Sequence, residues 1–120
     1  MLVNKKMRRR RRIKPYEIDH ELAELWLQAE HRYFVDLRDA QSFRFSAIAD
    51  AVHVCNENVT EFYASASKSA DIILYCYNGS VSRYAVAEFQ RQGFEHVYSL
   101  IGGFEAWRRR FPEYTRRAIN

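Results

Sequence analysis

The feature that most constrains this chain is an apolar run that ends in a cysteine and passes at once into a polar turn. Residues 71–82 have the sequence DIILYCYNGSVS. The run before Cys76 predicts a short buried strand, and Gly79 marks the turn that follows it. A helical pattern begins directly after the turn. Because open α/β sheets bind ligands in the crevice outside the carboxyl ends of their strands, we expect Cys76 to face such a crevice.

The turn would also determine the chemistry of the Cys76 thiol. Backbone N–H groups of the turn and the positive N-terminal end of the next helix would point at the sulfur and favour the thiolate. Such surroundings lower the pKa of a thiol below its usual value of about 8.5. The alternative is a buried cysteine that only packs, since free cysteines are among the most buried residues. The turn and the helix together favour a nucleophile.

Strands alternate with helices along the rest of the chain. The hydrophobic patterns predict strands at residues 16–18, 33–37, 51–54, 71–75 and 96–100. They predict helices or helical turns at residues 20–29, 39–45, 57–66, 82–92 and 104–110. Asp19 is placed to cap the first of these helices, and Ser82 is placed to cap the fourth. This order predicts an α/β fold with a central five-stranded, mostly parallel sheet flanked by helices on both faces.

The length and composition fit one globular domain. The chain has 120 residues, of which 48% are hydrophobic, and no run approaches the ~18 apolar residues of a membrane-spanning helix. We place the domain at residues 15–115 and a C-terminal tail at residues 116–120. There is no secretory signal, and Cys55 and Cys76 do not make a disulfide framework, so we expect a cytoplasmic protein. No Cys or His spacing indicates a metal site.

The basic residues are concentrated at the N-terminus. The net charge is +4, but residues 1–14 contain eight basic residues and no acid, so the remainder carries a net charge of −4. Like charges at this density repel each other, and we expect residues 1–14 to be disordered. This tail could contact nucleic acid or an anionic membrane surface, or it could be only a solvated extension. It lacks the interleaved aromatic residues that stack on bases.

Four segments, taken in order, resemble the rhodanese family, above all its small single-domain bacterial thiosulfate sulfurtransferases. Their sequences are FVDLRD at residues 34–39, AIADAVH at 47–53, YCYNGSVS at 75–82 and GFEHVYSLIGGFEAW at 93–107. The resemblance implies transfer of a sulfane sulfur through a cysteine persulfide, without a metal or an organic cofactor. It implies thiosulfate or another sulfane-sulfur compound as donor, and cyanide or a small or protein thiol, such as a thioredoxin-like protein, as acceptor. We expect a monomer or a weak dimer.

The resemblance assigns roles to individual residues. Cys76 would be the catalytic nucleophile. The substrate-binding loop would consist of the six residues after it, whose backbone N–H groups would hold the sulfur: Tyr77, Asn78, Gly79, Ser80, Val81 and Ser82. Asp36 and Arg38 would support the site structurally, as an ion pair or a capping arrangement. Cys55 has a structural role as its first interpretation and a resolving-thiol role as its second.

Two features of the loop separate the competing functions. Val81 occupies a position where many rhodaneses have Arg, Thr or Ser. Because valine is apolar, its side chain cannot form a hydrogen bond to the sulfur-donor substrate. Phosphatases and arsenate reductases of the related fold carry an arginine six residues after the cysteine to clamp an oxyanion. Here Ser82 has that position and Arg83 follows it, which argues against phosphatase chemistry. A rhodanese-like binding or regulatory module without activity is the alternative from another functional class.

Overall fold

The computed structural model describes residues 16–118. Seven strands are present in this range: β1 Glu17–Ile18, β2 Arg32–Asp36, β3 Ser46–Ile48, β4 Val52–His53, β5 Asp71–Tyr75, β6 His96–Leu100 and β7 Thr115–Arg117. Five α-helices accompany them: α1 His20–Leu25, α2 Ala40–Phe45, α3 Val59–Ser65, α4 Ser80–Arg91 and α5 Gly103–Arg110. Short 3₁₀ helices follow α1 at Trp26–Gln28 and α5 at Pro112–Tyr114. The predictions for residues 1–14, and for the last two residues of the C-terminal tail, lie outside the described residues.

Five strands form a parallel sheet in the order β1-β6-β5-β2-β4. Strand β5 lies at the centre, where Leu74 pairs with Val35 of β2 and with Ser99 of β6. The predicted α/β fold with a five-stranded sheet is confirmed. Because Cys76 follows the last residue of the central strand, it lies at the carboxyl edge of the sheet with a strand on either side.

The two faces of the sheet carry separate hydrophobic cores. Side chains alternate across a strand, so Ile73 and Tyr75 of β5 face one core while Ile72 and Leu74 face the other. The first core includes Leu22 of α1, Trp26 of the 3₁₀ helix that follows it, and Trp107 of α5. The second core is formed with α3, α4 and the loops beside them. This two-sided cover gives the near-continuous apolar character of β5.

The ends of two helices test the predicted caps. Asp19 accepts a hydrogen bond from the Leu22 N–H at 2.8 Å and caps α1, as predicted. The prediction that Ser82 caps the helix after the loop is wrong. Helix α4 begins at Ser80, and its N-cap is Gly79 in the left-handed conformation, with no side-chain cap. Ser82 therefore lies inside the first turn, where its side chain is free for another contact.

A second sheet of two short strands was not predicted. Strands β3 and β7 pair antiparallel, with Ala47 opposite Arg116. The Ser46 hydroxyl adds a hydrogen bond to the carbonyl of Arg116 at 2.9 Å. Strand β7 therefore extends past residue 115, where we predicted that the domain ends. Within residues 16–118, none of the helices is long and apolar enough to cross a membrane.

Candidate active site

The Cys76 sulfur lies inside a ring of donors supplied by the loop after β5. The backbone N–H of Gly79 donates to Sγ at 3.2 Å, and the backbone N–H of Ser82 donates to it at 3.4 Å. The Ser82 hydroxyl lies 3.6 Å from the same sulfur. Only 5% of the residue is exposed. The loop therefore surrounds the thiol with groups that stabilise negative charge.

These donors change the acidity of Cys76. Burial alone would raise the pKa of the thiol. Hydrogen bonds from the backbone and side chain of Ser82 and from the backbone amides of Gly79 and Val81 outweigh burial, so the pKa lies below its usual value. A lower pKa increases the fraction of thiolate, which is the nucleophilic form of a cysteine.

The shape of the loop depends on Gly79 and Asn78. Gly79 has φ of 95°, a left-handed conformation that glycine adopts without strain. The Asn78 side-chain oxygen accepts hydrogen bonds from the Ser80 N–H at 3.0 Å and from the Ser80 hydroxyl at 2.8 Å. Asn78 and Ser80 therefore fix the turn, while Gly79 and Ser82 direct their N–H groups at the sulfur.

Helix α5 holds the loop from the opposite side. The N–H of Phe104 donates to the Cys76 carbonyl and the N–H of Glu105 donates to the Tyr77 carbonyl, both at 2.9 Å. The approach is close, because a Cβ on Gly103 would lie 2.6 Å from the Cys76 carbonyl oxygen. These bonds turn the carbonyls of the loop towards α5. Because the C=O and N–H of one peptide unit point in opposite directions, the N–H groups of Tyr77 and Asn78 face away from α5.

Other loop residues form the outer surface of the site. Tyr77 and Val81 are exposed, at 55% and 60%. A cleft of about 300 Å³ adjoins the loop and is lined in part by Asn78, Ser80 and Arg83. Arg83 is half exposed, and its Nε lies 3.9 Å from a Glu17 carboxylate oxygen. Arg83 is thus paired with Glu17 of β1, which lines the same cleft.

Asp36 and Arg38 form a buried ion pair beside the site. Arg38 donates from Nη2 to Asp36 at 2.7 Å and from Nε to both carboxylate oxygens at 3.1 Å. Its guanidinium lies 4.1 Å from the centre of the Phe104 ring. Tyr75 completes the group. Burial is the largest cause that raises the pKa of its phenol, and the charge and hydrogen bond of Asp36 raise this pKa further. This cluster ties the carboxyl ends of β2 and β5 to helix α5.

The second cysteine follows a different strand. Cys55 comes shortly after β4, which is separated from β5 by β2 in the sheet. Two strand spacings amount to about 10 Å. The Cys55 thiol donates a hydrogen bond to the Glu57 carboxylate. This bond is the largest cause of the lowered pKa of Glu57. Within the described part of the chain, no cluster of three or more His, Cys, Asp or Glu residues could hold a metal ion.

Two contributors to the site were not identified from the sequence. Ser99 of β6 places its hydroxyl 2.7 Å from the Ser82 hydroxyl, behind the sulfur. Its signal in the sequence is weak: one serine between Tyr98 and Leu100 in a strand of buried residues. The second contributor is the pair of α5 amides on the loop carbonyls. Its only signal is the Gly102-Gly103 pair, which permits a close approach of two backbones.

Comparisons with known proteins match most of the chain to one family. The family model described as "Rhodanese-like domain" matches residues 19–110. A relative named thiosulfate sulfurtransferase GlpE from Pseudomonas savastanoi is 40% identical over 89 residues, which cover 74% of this chain and 84% of the relative. The GlpE of Vibrio cholerae is 37% identical over 92 residues, covering 77% of this chain and 87% of the relative.

Solved structures share the fold. The crystal structure of the Alr3790 protein from Anabaena superposes with a TM-score of 0.74 at 28% identity, covering 85% of this chain and 93% of that chain. A thiosulfate sulfurtransferase from Pseudomonas aeruginosa superposes with a TM-score of 0.76 at 23% identity, covering 88% of this chain and 20% of that larger chain. A strand-end cysteine inside a ring of loop amides, the match over residues 19–110 and these relatives lead to one conclusion: the chain belongs to the rhodanese family.

Proposed function

We propose that the protein is a thiosulfate sulfurtransferase whose covalent nucleophile is Cys76. The observation that carries this proposal is the environment of the sulfur: two backbone N–H groups at 3.2 and 3.4 Å, a hydroxyl at 3.6 Å and a lowered pKa. The relatives named thiosulfate sulfurtransferase, up to 46% identical to this chain, supply the substrate class.

The first half-reaction forms a persulfide. The Cys76 thiolate attacks the outer sulfur of thiosulfate, a new S–S bond forms, and the S–S bond of thiosulfate breaks. The bonding pair leaves with sulfite, and the cysteine keeps the terminal sulfur as a persulfide anion. Charge is conserved, since a monoanion and a dianion react to give a monoanion and a dianion. The loop amides act as fixed dipoles that stabilise both anionic forms of the cysteine without rearranging.

The second half-reaction returns the enzyme to its starting state. Cyanide or a thiolate attacks the terminal sulfur, and the Cys76 thiolate is the leaving group. A lowered pKa also favours this step, because a more acidic thiol leaves faster. Small thiols and the thiols of proteins, such as thioredoxin-like proteins, could both act as acceptors, because both react through a thiolate. No metal and no organic cofactor takes part in either step.

The loop also bears on the choice of donor. Val81 has no side-chain hydrogen-bond donor, and the Ser80 hydroxyl already donates to Asn78. The charged end of the sulfur donor would therefore be held by backbone N–H groups. A donor with less charge than thiosulfate, such as another persulfide, fits the same loop. We therefore propose thiosulfate as the donor for assay and a sulfane-sulfur compound as the physiological class.

The two rival functions receive less support. A phosphatase or arsenate reductase needs an arginine clamp at the position of Ser82, and the neighbouring Arg83 is paired with Glu17. A binding or regulatory module would have no need for a thiol with a lowered pKa. We further propose a bacterial, cytoplasmic protein that is a monomer or weak dimer, with one domain from residue 15. Residues 1–14 form a separate basic tail in this proposal.

A transfer assay tests the proposal. The wild-type protein should form thiocyanate from thiosulfate and cyanide, and Cys76→Ser should reduce the rate to background because an alcohol cannot replace the thiolate. Cys55→Ser is the matched control and should keep the wild-type rate. Turnover retained in Cys76→Ser, or lost equally in both variants, would contradict Cys76 as the nucleophile.

A further inference from the structure

Two buried hydroxyls lie behind the Cys76 sulfur, and only one of them belongs to the loop. The Ser82 oxygen lies 3.6 Å from Sγ and 2.7 Å from the Ser99 oxygen. Ser99 belongs to β6 and pairs with Leu74 of β5 and with Glu17 of β1. The two serines are 0% and 1% exposed. A continuous chain of three polar groups therefore leads from the sulfur to β6, next to the central strand.

Ser99 is an unexpected residue for its position. Its neighbours in β6 are buried, and a β-branched apolar residue such as valine suits a buried central strand better. A buried hydroxyl is unfavourable unless it is hydrogen-bonded, and Ser99 meets this requirement through Ser82. Packing of the strand does not call for a hydroxyl here, whereas the contact with Ser82 does.

Counting protons shows what the pair of serines can do. Each hydroxyl has one proton to donate. When Cys76 is a thiol, its S–H can donate to Ser82, and the Ser82 proton then goes to Ser99 at 2.7 Å or to the Gly79 carbonyl at 3.4 Å. When Cys76 is a thiolate, the Ser82 proton is needed at the sulfur. The Ser82 oxygen is then available to accept the proton of Ser99.

We propose that Ser99 is a positioning residue for sulfur transfer, whose hydroxyl donates to Ser82 and so directs the Ser82 proton onto the Cys76 thiolate. When Cys76 ionises, the donor and acceptor exchange roles in two hydrogen bonds, Cys76–Ser82 and Ser82–Ser99. Without Ser99, the Ser82 hydroxyl has the Gly79 carbonyl as its competing acceptor, and the thiolate loses a donor. A donor that itself receives a hydrogen bond is also more polarised. This role rests on the proposed function of Cys76 as nucleophile.

The test measures the pKa of Cys76 from the pH dependence of its alkylation by iodoacetamide, in a Cys55→Ser background. Ser82→Ala should raise the pKa by about one unit, as loss of one hydrogen bond to a charged group does. Ser99→Ala should raise it by about half that amount or more, although Ser99 does not touch the sulfur. Ser99→Thr keeps a hydroxyl and should restore the wild-type value. Ser46→Ala removes another buried serine hydroxyl, which bonds the Arg116 carbonyl, and should leave the pKa unchanged.

The double variant decides whether Ser99 acts through Ser82. In a Ser82→Ala background, Ser99→Ala should cause no further shift of the Cys76 pKa. An unchanged pKa in Ser99→Ala, or an equal shift with and without the Ser82 hydroxyl, would overturn the proposal. This comparison needs only the alanine variants, so it holds even if threonine does not fit. It also needs no sulfur donor, so failure of the sulfurtransferase assay would be distinguished from failure of this inference.

Discussion

The reactivity of Cys76 depends on opposing effects of burial and hydrogen bonding. Burial in a site that is 5% exposed disfavours the thiolate, and the donors from Gly79, Val81 and Ser82 favour it. The donors win because backbone N–H groups are fixed in direction by the fold and require no reorganisation when charge develops. The same fixed groups would hold a persulfide anion, so one arrangement serves both halves of the reaction.

The pH dependence of alkylation follows from the lowered pKa of Cys76. Because the thiolate is the reactive form, the rate should fall as the pH drops through this pKa. The midpoint should lie below the ~8.5 of an ordinary cysteine. The measurement uses Cys55→Ser protein, so that one thiol reacts, and the same protein unfolded in urea serves as the reference. A folded midpoint equal to or above the unfolded one would contradict the environment described here.

The Arg38–Asp36 pair makes a prediction about stability. Arg38→Met keeps the contact with the Phe104 ring but leaves the fully buried Asp36 carboxylate without its partner. Breaking a buried ion pair in this way costs about 3–5 kcal/mol of the free energy of unfolding. Chemical denaturation measures the loss. Arg91→Met, which breaks an exposed pair with Glu88, is the control and should change stability little.

At the scale of elements, the site consists of one loop held between two helices. The cap residue Gly79 and the first turn of α4 supply the amides that face the sulfur. Helix α5 supplies the amides that hold the carbonyls of Cys76 and Tyr77. Neither helix uses a side-chain cap, and both begin after a left-handed glycine, Gly79 or Gly102. The N–H groups at the N-terminal ends of both helices therefore donate hydrogen bonds to the loop and to its sulfur.

Gly103→Ala tests the contact between α5 and the loop. The new Cβ would lie 2.6 to 2.8 Å from the Cys76 and Tyr77 carbonyl oxygens and the Gly79 nitrogen, so the loop must shift. We expect the rate of sulfur transfer to fall by at least tenfold in protein that remains folded. Gly93→Ala is the matched control: it also has a positive φ, of 100°, but the nearest atom to its Cβ is a Lys68 carbon 3.9 Å away.

The two glycine variants should differ in kind. Both should lose stability, because alanine is strained at a positive φ. Only Gly103→Ala should also lower the alkylation rate of Cys76 at neutral pH, because only that variant displaces the amides around the sulfur. Equal alkylation rates in the two variants would show that α5 does not position the loop.

How far the sequence predicts each element depends on the range of its signal. Strand β5, Cys76 and the turn at Gly79 were predicted because the apolar run and the glycine are adjacent. The start of α4 was missed because a left-handed glycine took the cap position that Ser82 was expected to fill. Ser99 was missed because its role depends on how β6 aligns with α4, which no local pattern encodes.

In the whole molecule, the β3–β7 pair joins the C-terminal part of the described chain to residues 46–48. Two strands of three residues each, about 70 positions apart, carry too little local pattern to be predicted. They matter because Ile48 belongs to the core that covers α1 and α5, and the Ser46 carbonyl accepts a hydrogen bond from Arg38. The C-terminal strand therefore supports the side of the sheet on which the Asp36–Arg38 pair lies.

Removal of residues 115–120 should lower the melting temperature by several degrees, since a small domain loses about 4–8 °C for each kcal/mol. The truncated protein should keep sulfur transfer at low temperature, because β7 pairs with β3 and not with a strand next to the loop. Thermal unfolding followed by circular dichroism measures the effect, with Ala118→Gly as the full-length control. An unchanged melting temperature would show that β7 does not stabilise the domain.

The distribution of charge is the other property of the whole molecule. Deletion of residues 1–14 changes the net charge from +4 to −4. Affinity for heparin or for anionic vesicles at low salt should be lost, because the basic residues that would bind them are concentrated there. The rate of thiocyanate formation should be unchanged. A deletion that abolished transfer would mean that the tail belongs to the catalytic unit.

Sulfur transfer through Cys76 requires that this residue carry the sulfur as a persulfide, and the mass of the intact protein shows whether it does. The protein is incubated briefly with thiosulfate in the absence of reductant, beside Cys76→Ser and Cys55→Ser. We expect a gain of one sulfur atom in the wild type and in Cys55→Ser, none in Cys76→Ser, and loss of the added sulfur on treatment with cyanide. A sulfur atom gained by Cys76→Ser, or none gained by the wild type, would contradict it.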